Sequence, residues 1–174
     1  MTSPIEPDTK DWTWVLTRPC AECGFLAADV DPAEIPATLR ASTPRWTQAL
    51  ARPDAAVRPA PSPWSVLEYG AHTRDVHRIF GERLRLILEE DDPLFENWDQ
   101  DATAVAERYD LQDPAVVATE LAEAAEATAA RFEAVPDDAW ERPGRRSNGS
   151  GFTARTLGTY YVHDVVHHLH DVRA

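Results

Sequence analysis

Four long stretches of the chain repeat apolar residues every three or four positions, and this helical period constrains the fold more than any other feature. In the second stretch, Val76, Phe80 and Leu84 fall on one face of a helix. Alternation with a period of two, which would indicate β-strands, is rare. The pattern predicts long helices at about 35–51, 64–90, 114–135 and 153–172, and a shorter one at 98–109.

Residues that cap helices support these limits. Ser65 and Glu68 have the spacing of a capping box, in which each side chain bonds to the other residue's backbone N–H. Asp113 followed by Pro114 is typical of a helix N-cap and first position. Pro44 lies inside the first helix, where the missing N–H predicts a kink or a split.

Four helices in 174 residues fit an all-α fold, a four-helix bundle, as one domain at about 32–174. Residues 1–31 lack the helical period and are expected to form an irregular N-terminal arm that carries a Cys-x-x-Cys motif. The stretch 136–152 is rich in Gly, Pro and Arg and is predicted to be a loop.

Charge and hydropathy exclude two classes of partner. The net charge is −13 and we find no cationic stripe, so a nucleic-acid backbone is not expected to bind. No apolar run approaches the length that spans a bilayer, so no membrane partner is expected. The chain starts without a basic and apolar leader, and we expect a cytoplasmic protein.

The last helix holds four of the six histidines. His163 and His167 are one turn apart, and at about 40° around the helix they can reach one metal ion together. His72, on the apolar stripe of the second helix, is the best third ligand. The predicted metal set is therefore His72, His163 and His167. The alternative is that these histidines are ordinary surface or core residues.

Other polar residues lie near this predicted set. His168 is about 100° around the helix from His167, so the two are not expected to bind the same ion. His170 returns to the predicted face and is a candidate substrate-binding or outer group. Glu68 and Asp171 each lie one turn from a predicted ligand, where carboxylates often orient imidazoles. They are equally well explained as solvated helix charges.

The two cysteines, Cys20 and Cys23, stand in the sequence Cys-Ala-Glu-Cys-Gly. A zinc ribbon would need a second cysteine pair, and a thioredoxin-like motif would need a strand before it and a helix after it. We interpret the pair as a structural or inert dithiol, with a redox or metal role as the alternative.

The segment Trp64–Glu68 followed by His72, together with the closing segment His163–His168, resembles the DinB/YfiT-like superfamily of metal-binding four-helix bundles. The resemblance spans about 35–172. It implies a divalent ion, Zn or Ni, held by the three predicted histidines, and often a homodimer. The cysteine arm does not belong to the general family pattern.

The resemblance also implies an activity. Members with known activity are similar to thiol-dependent S-transferases and isomerases, including mycothiol-dependent maleylpyruvate isomerase. We therefore expect an enzyme that activates a low-molecular-weight thiol, with mycothiol as a candidate, for S-transfer or isomerisation of a small-molecule substrate. Arg142, Arg145 and Arg146 could hold an anionic group of substrate or cofactor, or form a solvated loop.

Two other functions fit the same residues. A metal-dependent hydrolase would use the ion to activate water, with Glu68, Asp75 or His170 as general base. A non-catalytic, stress-associated bundle would bind metal and act through a partner. A di-iron carboxylate protein is a poor fit because the chain lacks Glu-x-x-His motifs on paired helices.

Overall fold

Helices dominate the computed structural model, which describes residues 11–59 and 64–174. The α-helices are α1 (Ile35–Leu50), α2 (Val66–Glu89), α3 (Gln100–Ala106), α4 (Pro114–Glu133) and α5 (Ala154–Asp171). The four long helices confirm the predicted all-α four-helix bundle, and α3 is the predicted short helix. In these described residues, no helix combines the length and the apolar character needed to cross a membrane.

The bundle places α1 and α2 at diagonal positions. Each of these helices packs against both α4 and α5, whereas α1 and α2 meet only weakly. Large side chains fill the space between them and are fully buried, including Trp46, Phe132, Leu157 and Tyr161. Helix α5 is therefore covered by α1 and α2 on two sides, and its remaining face is available to the arm.

Helix ends follow the predicted caps. The Ser65 hydroxyl accepts a hydrogen bond from the Glu68 N–H at 3.2 Å, and the Ser65 N–H donates to the Glu68 carboxylate at 2.8 Å. The Asp113 carboxylate accepts from the Ala115 N–H at 2.8 Å. Of the kink or split predicted at Pro44, the split is wrong, since α1 continues through the proline. Burial of Trp46 just beyond the proline holds the helix together despite the lost donor.

A small sheet replaces part of the loop predicted at 136–152. Strand β2 (Pro143–Arg146) pairs in parallel with β1 (Leu94–Phe95) and antiparallel with β3 (Gly151–Thr153). The Thr153 side chain then caps α5, so the sheet leads directly into that helix. Strands of two to four residues are too short to show a period, which explains why the sequence did not reveal them.

The described part of the N-terminal arm, residues 11–31, folds as short 3₁₀ turns against α5. Its residues Val15, Cys20 and Phe25 are buried in the main core. The arm is irregular, as predicted, and its buried side chains make it part of the packed structure.

Gly158 marks the closest approach of α5 to its neighbours. A Cβ atom there would lie 2.7 Å from Ile35 Cδ1 and 2.8 Å from Phe132 Cε1, which is too short for carbon atoms. We therefore expect Gly158→Val to lower the free energy of unfolding by about 1–3 kcal/mol, measured by urea denaturation. Gly151→Val is the control, because nothing lies within 4 Å of a Cβ at that position. Equal stabilities of the two variants would contradict the packing described for α5.

Candidate functional site

The structure distributes three of the four histidines of α5 over two clusters of metal-ligating side chains. In each cluster all ligand atoms lie within 4.8 Å of one another. The first, the His72 cluster, consists of His72, Asp164 and His168, and the second, the Cys20 cluster, of Cys20, Cys23, His163 and His167. The predicted set His72, His163 and His167 is thus divided, with His72 in one cluster and the other two in the second.

The His72 cluster has ligand spacings that suit a metal ion. Asp164 Oδ1 lies 3.6 Å from His72 Nε2 and 3.5 Å from His168 Nε2. A tetrahedral ion with bonds of about 2.1 Å separates its ligands by about 3.4 Å. The distances from Asp164 to His72 and His168 are therefore close to those between ligands of one metal ion.

Polar atoms of the His72 cluster are buried without partners. Among the described residues, the two ring nitrogens of His72 and Oδ1 of Asp164 are buried and have no hydrogen-bond partner. The separation of 3.6 Å between Asp164 and His72 is too long for one. Leaving such groups unsatisfied in the interior costs free energy, and a bound cation would satisfy them.

Asp171 orients the second imidazole of this cluster. Its carboxylate lies 2.9 Å from His168 Nδ1, so that nitrogen can donate and Nε2 is left to face Asp164. Carboxylates commonly fix metal-binding imidazoles in this way. From the sequence, Asp171 is expected to be either an orienting group for His167 or a solvated helix charge. It lies 3.7 Å from His167 Nε2, but its hydrogen bond is to His168.

Aromatic rings pack around the imidazoles of the His72 cluster. Trp98 stacks on His72 with ring centroids 5.1 Å apart and planes inclined by 6°. Trp64 meets the same imidazole edge-on at 5.2 Å, and Tyr69 lies 5.1 Å from His168. These rings lower the local dielectric constant, which strengthens electrostatic interactions in the site.

Burial sets the charge states of these ligands. It lowers the pKa of His72, so the imidazole is neutral at pH 7. Burial alone would raise the pKa of Asp164, but the neighbouring His168 and His72 lower it to about 2. A neutral imidazole and an ionised carboxylate are the forms that bind metal ions.

The Cys20 cluster joins the arm to another face of the same helix, about 100° around from Asp164 and His168. Cys20 Sγ lies 3.7 Å from His167 Nδ1, and both side chains are buried. Burial, together with the neighbouring His167, lowers the pKa of His163 to about 4. Burial raises the pKa of Cys23 to about 11. No feature of the sequence alone showed that Cys20 and Cys23 meet these histidines.

The carboxylates predicted as general bases are engaged elsewhere. Glu68 accepts hydrogen bonds from Arg58 at 2.9 Å and from the Ser65 hydroxyl at 2.8 Å, so it caps α2 and closes a buried ion pair. Asp75 accepts hydrogen bonds from Arg74 and from the Tyr109 hydroxyl. The third candidate base, the imidazole of His170, is exposed near the end of α5.

The three predicted anion-binding arginines occupy different surroundings. Arg142 donates to the Ile87 carbonyl at 2.7 Å, which ties the sheet region to α2. Arg145 is 59% exposed and pairs with Asp92. Arg146 is largely buried, lies over the Phe152 and Tyr160 rings, and donates to Asn148 at 2.9 Å. The structure does not gather the three into one site.

Arg83 is a buried cation that the sequence analysis missed. It is 5% exposed, lies over the Phe80 and Phe95 rings, and donates to the Glu96 carbonyl at 3.0 Å. Among the described residues no carboxylate lies within 4.0 Å of it, and burial lowers its pKa to about 10. The sequence did indicate that this arginine is buried, because residue 83 lies on the apolar face of α2, three positions after Phe80.

Comparisons with known proteins found a matching family and a solved structure with the same fold. A family model described as the DinB superfamily matches residues 37–172. The solved structure of YfiT from Bacillus subtilis, described as a probable metal-dependent hydrolase with an unusual four-helix bundle topology, superposes with a TM-score of 0.72. The alignment covers 97% of this chain and 92% of that one at 19% identity, which shows a common fold. A comparison with curated proteins found no significant match.

Proposed function

The chain belongs to the DinB superfamily, and from this premise we propose that it is a metal-dependent enzyme whose ion is held by His72, Asp164 and His168. The observation that supports this most strongly is that, among the described residues, both ring nitrogens of His72 and Oδ1 of Asp164 are buried without hydrogen-bond partners. Asp164 Oδ1 also lies 3.6 Å from His72 Nε2 and 3.5 Å from His168 Nε2. In this proposal Asp164 and His168 are metal ligands in place of His163 and His167, which the sequence analysis predicted.

The donor set fits a divalent transition metal. Two imidazoles and one carboxylate suit Zn or Ni, the ions implied by the family resemblance, and such sets also hold Fe(II). Three protein ligands leave coordination positions open for a small molecule, as in catalytic rather than structural sites. When bound, the ion would supply positive charge that lowers the pKa of a thiol or water molecule beside it.

We propose that the small molecule is a low-molecular-weight thiol, with mycothiol as the candidate. Glu68 and Asp75 are held by arginines, and His170 is exposed, so none of these predicted bases is placed to accept a proton from water. A thiol with a pKa of about 8.5 needs a much smaller shift to ionise near pH 7 than water with a pKa of about 15.7. The arrangement therefore favours formation of a thiolate, which would attack an electrophilic substrate.

Arg83 and Arg146 are proposed to hold an anionic group of that substrate. Both guanidinium groups lie over aromatic rings that touch one another, since Phe80 and Tyr160 have centroids 5.8 Å apart. Tyr160 lies one turn before Asp164 on α5, which supports a cationic region near the His72 cluster. A carboxylate on the substrate would compensate the buried charge of Arg83.

One assay separates this function from hydrolysis, the activity named in the description of YfiT. Metal-loaded and metal-free protein are given mycothiol with a halogenated arene, and separately a panel of activated esters without thiol. We expect metal-dependent consumption of thiol in the first assay, its loss in Asp164→Asn, and no metal-dependent ester cleavage in the second assay. Metal-dependent ester cleavage without thiol would instead support the hydrolase, and no metal dependence in either assay would refute both.

We also propose a homodimer, which the family resemblance implies. Light scattering on the full chain would then give about twice the 19.4 kDa of one chain. A mass equal to one chain at all concentrations would refute this part of the proposal.

A further inference from the structure

We propose that Cys20, Cys23, His163 and His167 bind a second ion, zinc, in a closed site that fastens the N-terminal arm to α5. This site is separate from the His72 cluster and does not depend on the proposed thiol chemistry. Two sulfurs and two imidazole nitrogens within 4.8 Å of one another form the donor set of a structural zinc site.

The spacing of the sulfur and nitrogen atoms fits tetrahedral coordination. Cys20 Sγ and His167 Nδ1 are 3.7 Å apart. Bonds of about 2.3 Å to sulfur and about 2.05 Å to nitrogen at tetrahedral angles separate such ligands by about 3.6 Å. The side chains thus hold a distance close to that of a zinc-bound pair.

The backbone after Cys20 forms a tight turn that returns Cys23 to the same place. The Gly24 N–H donates to the Cys20 carbonyl at 2.9 Å, and the Cys20 N–H donates to the Phe25 carbonyl at 2.9 Å. Gly24 has φ of +76°, a left-handed conformation that favours glycine. The sequence Cys-x-x-Cys-Gly is therefore used to present two sulfurs from a rigid turn.

Three of the four ligands are buried and Cys23 is partly exposed, and together the four complete a tetrahedral set with no open position. Cys20 is 1% exposed, His163 3% and His167 6%. Trp12 lies 5.1 Å from the His167 ring, and Phe25 meets the His163 ring edge-on at 5.1 Å. Among the described residues His163 Nε2 is buried with no hydrogen-bond partner, and a cation would satisfy it.

Zinc accounts for this arrangement better than thiol redox chemistry. A redox-active cysteine needs an accessible, acidified thiol, whereas Cys20 is buried and Cys23 is only partly exposed. On binding Zn²⁺ the two thiols would release two protons, and the two thiolates would balance the charge of the ion. The interior would then hold a neutral unit rather than isolated charges.

Helix α5 would consequently be fixed between two ions. His163 and His167 face the arm, while Asp164 and His168, each one position further along, lie about 100° around the helix and face α2. A zinc ion on the arm side would prevent rotation of α5 and hold Asp164 and His168 toward His72. The CxxC arm would thereby act as a structural support for the His72 cluster.

The test is metal analysis of the full chain together with its cobalt spectrum. We expect about two ions per chain in the wild type, and about one in the double variant Cys20→Ser/Cys23→Ser. Cobalt-substituted wild type should show thiolate-to-metal charge-transfer absorption, which the double variant should lose and His72→Ala should keep. The single variant Cys23→His keeps Cys20 and replaces one sulfur ligand with an imidazole nitrogen. Unlike the double serine variant, it should still bind the second ion.

The result that would overturn the inference is a cobalt-loaded wild type without charge-transfer absorption, or a double serine variant that binds as many ions as the wild type. If the serine variant unfolds, the wild-type cobalt spectrum alone decides the question. Failure of the proposed enzyme function would leave this result unchanged, because the readout is metal content and not activity.

Discussion

His72→Ala protein is expected to lose the ion of the His72 cluster, with an affinity at least about 100-fold below that of the wild type. The imidazole is fully buried and supplies the only ligand from α2 among the described residues of this cluster. Without it, Asp164 and His168 offer two ligands from one helix, which is too few to hold a divalent ion firmly. Competition with a chromophoric chelator measures the affinity directly.

His170→Ala is the matched control for this substitution. It removes an imidazole from the exposed end of α5, and the metal affinity should be unchanged. Circular dichroism would verify that both variants remain helical. Equal metal affinities of His72→Ala and wild type would refute the assignment of the ion to this cluster.

Arg58→Ala is expected to lower the free energy of unfolding by about 3–5 kcal/mol. Arg58 binds both carboxylate oxygens of Glu68, at 3.2 and 2.9 Å through its Nε, and Glu68 is 2% exposed. Removing the guanidinium leaves the Glu68 carboxylate buried with the Ser65 contacts but without its described cationic partner. Urea denaturation at pH 7 would measure the change.

The same ion pair makes a pH-dependent contribution. Burial opposes ionisation of Glu68, but hydrogen bonds from Arg58 and Ser65 outweigh it and lower its pKa below the ordinary 4.5. A carboxyl group with a lowered folded-state pKa stabilises the protein above pH 4.5, and this stabilisation is lost as the pH falls through the folded-state pKa. The stability difference between wild type and Arg58→Ala should therefore shrink below pH 4.5.

Arg40→Ala is the control for an exposed ion pair. Arg40 pairs with Glu126 and Glu133 at 2.9 Å, but all three side chains are more than a third exposed. Water screens such pairs, so the loss should be far smaller than for Arg58→Ala. Comparable losses for both variants, or a Glu68→Gln protein of unchanged stability, would show that Glu68 is not the buried structural anchor described here.

Periodicity and capping predicted most of the fold. The long helices end within a few residues of their expected limits because the apolar stripes and caps that define them are local signals. The three-stranded sheet was missed because its strands are too short to show a period, and because β1 pairs with a strand that is distant in the sequence. The alternative that Pro44 splits the first helix is wrong, because burial of Trp46, a tertiary effect, maintains the helix.

Helical spacing predicts which residues of α5 share a face, but not which face meets His72. His163 and His167 do share a face, but so do Asp164 and His168, which have the same spacing one position along. A shift of one residue rotates the face by about 100°, and only the packing of α5 against α2 decides which pair meets His72. The contact between the cysteine turn and α5 spans 147 residues, and no local pattern encodes it.

The most direct measurement is anomalous X-ray diffraction from crystals of the full chain grown with Zn²⁺ or Ni²⁺. We expect an anomalous peak within about 2.3 Å of His72 Nε2, Asp164 Oδ1 and His168 Nε2 together. A peak coordinated by His72 with His163 and His167, or no peak at His72 in metal-saturated crystals, would contradict the account.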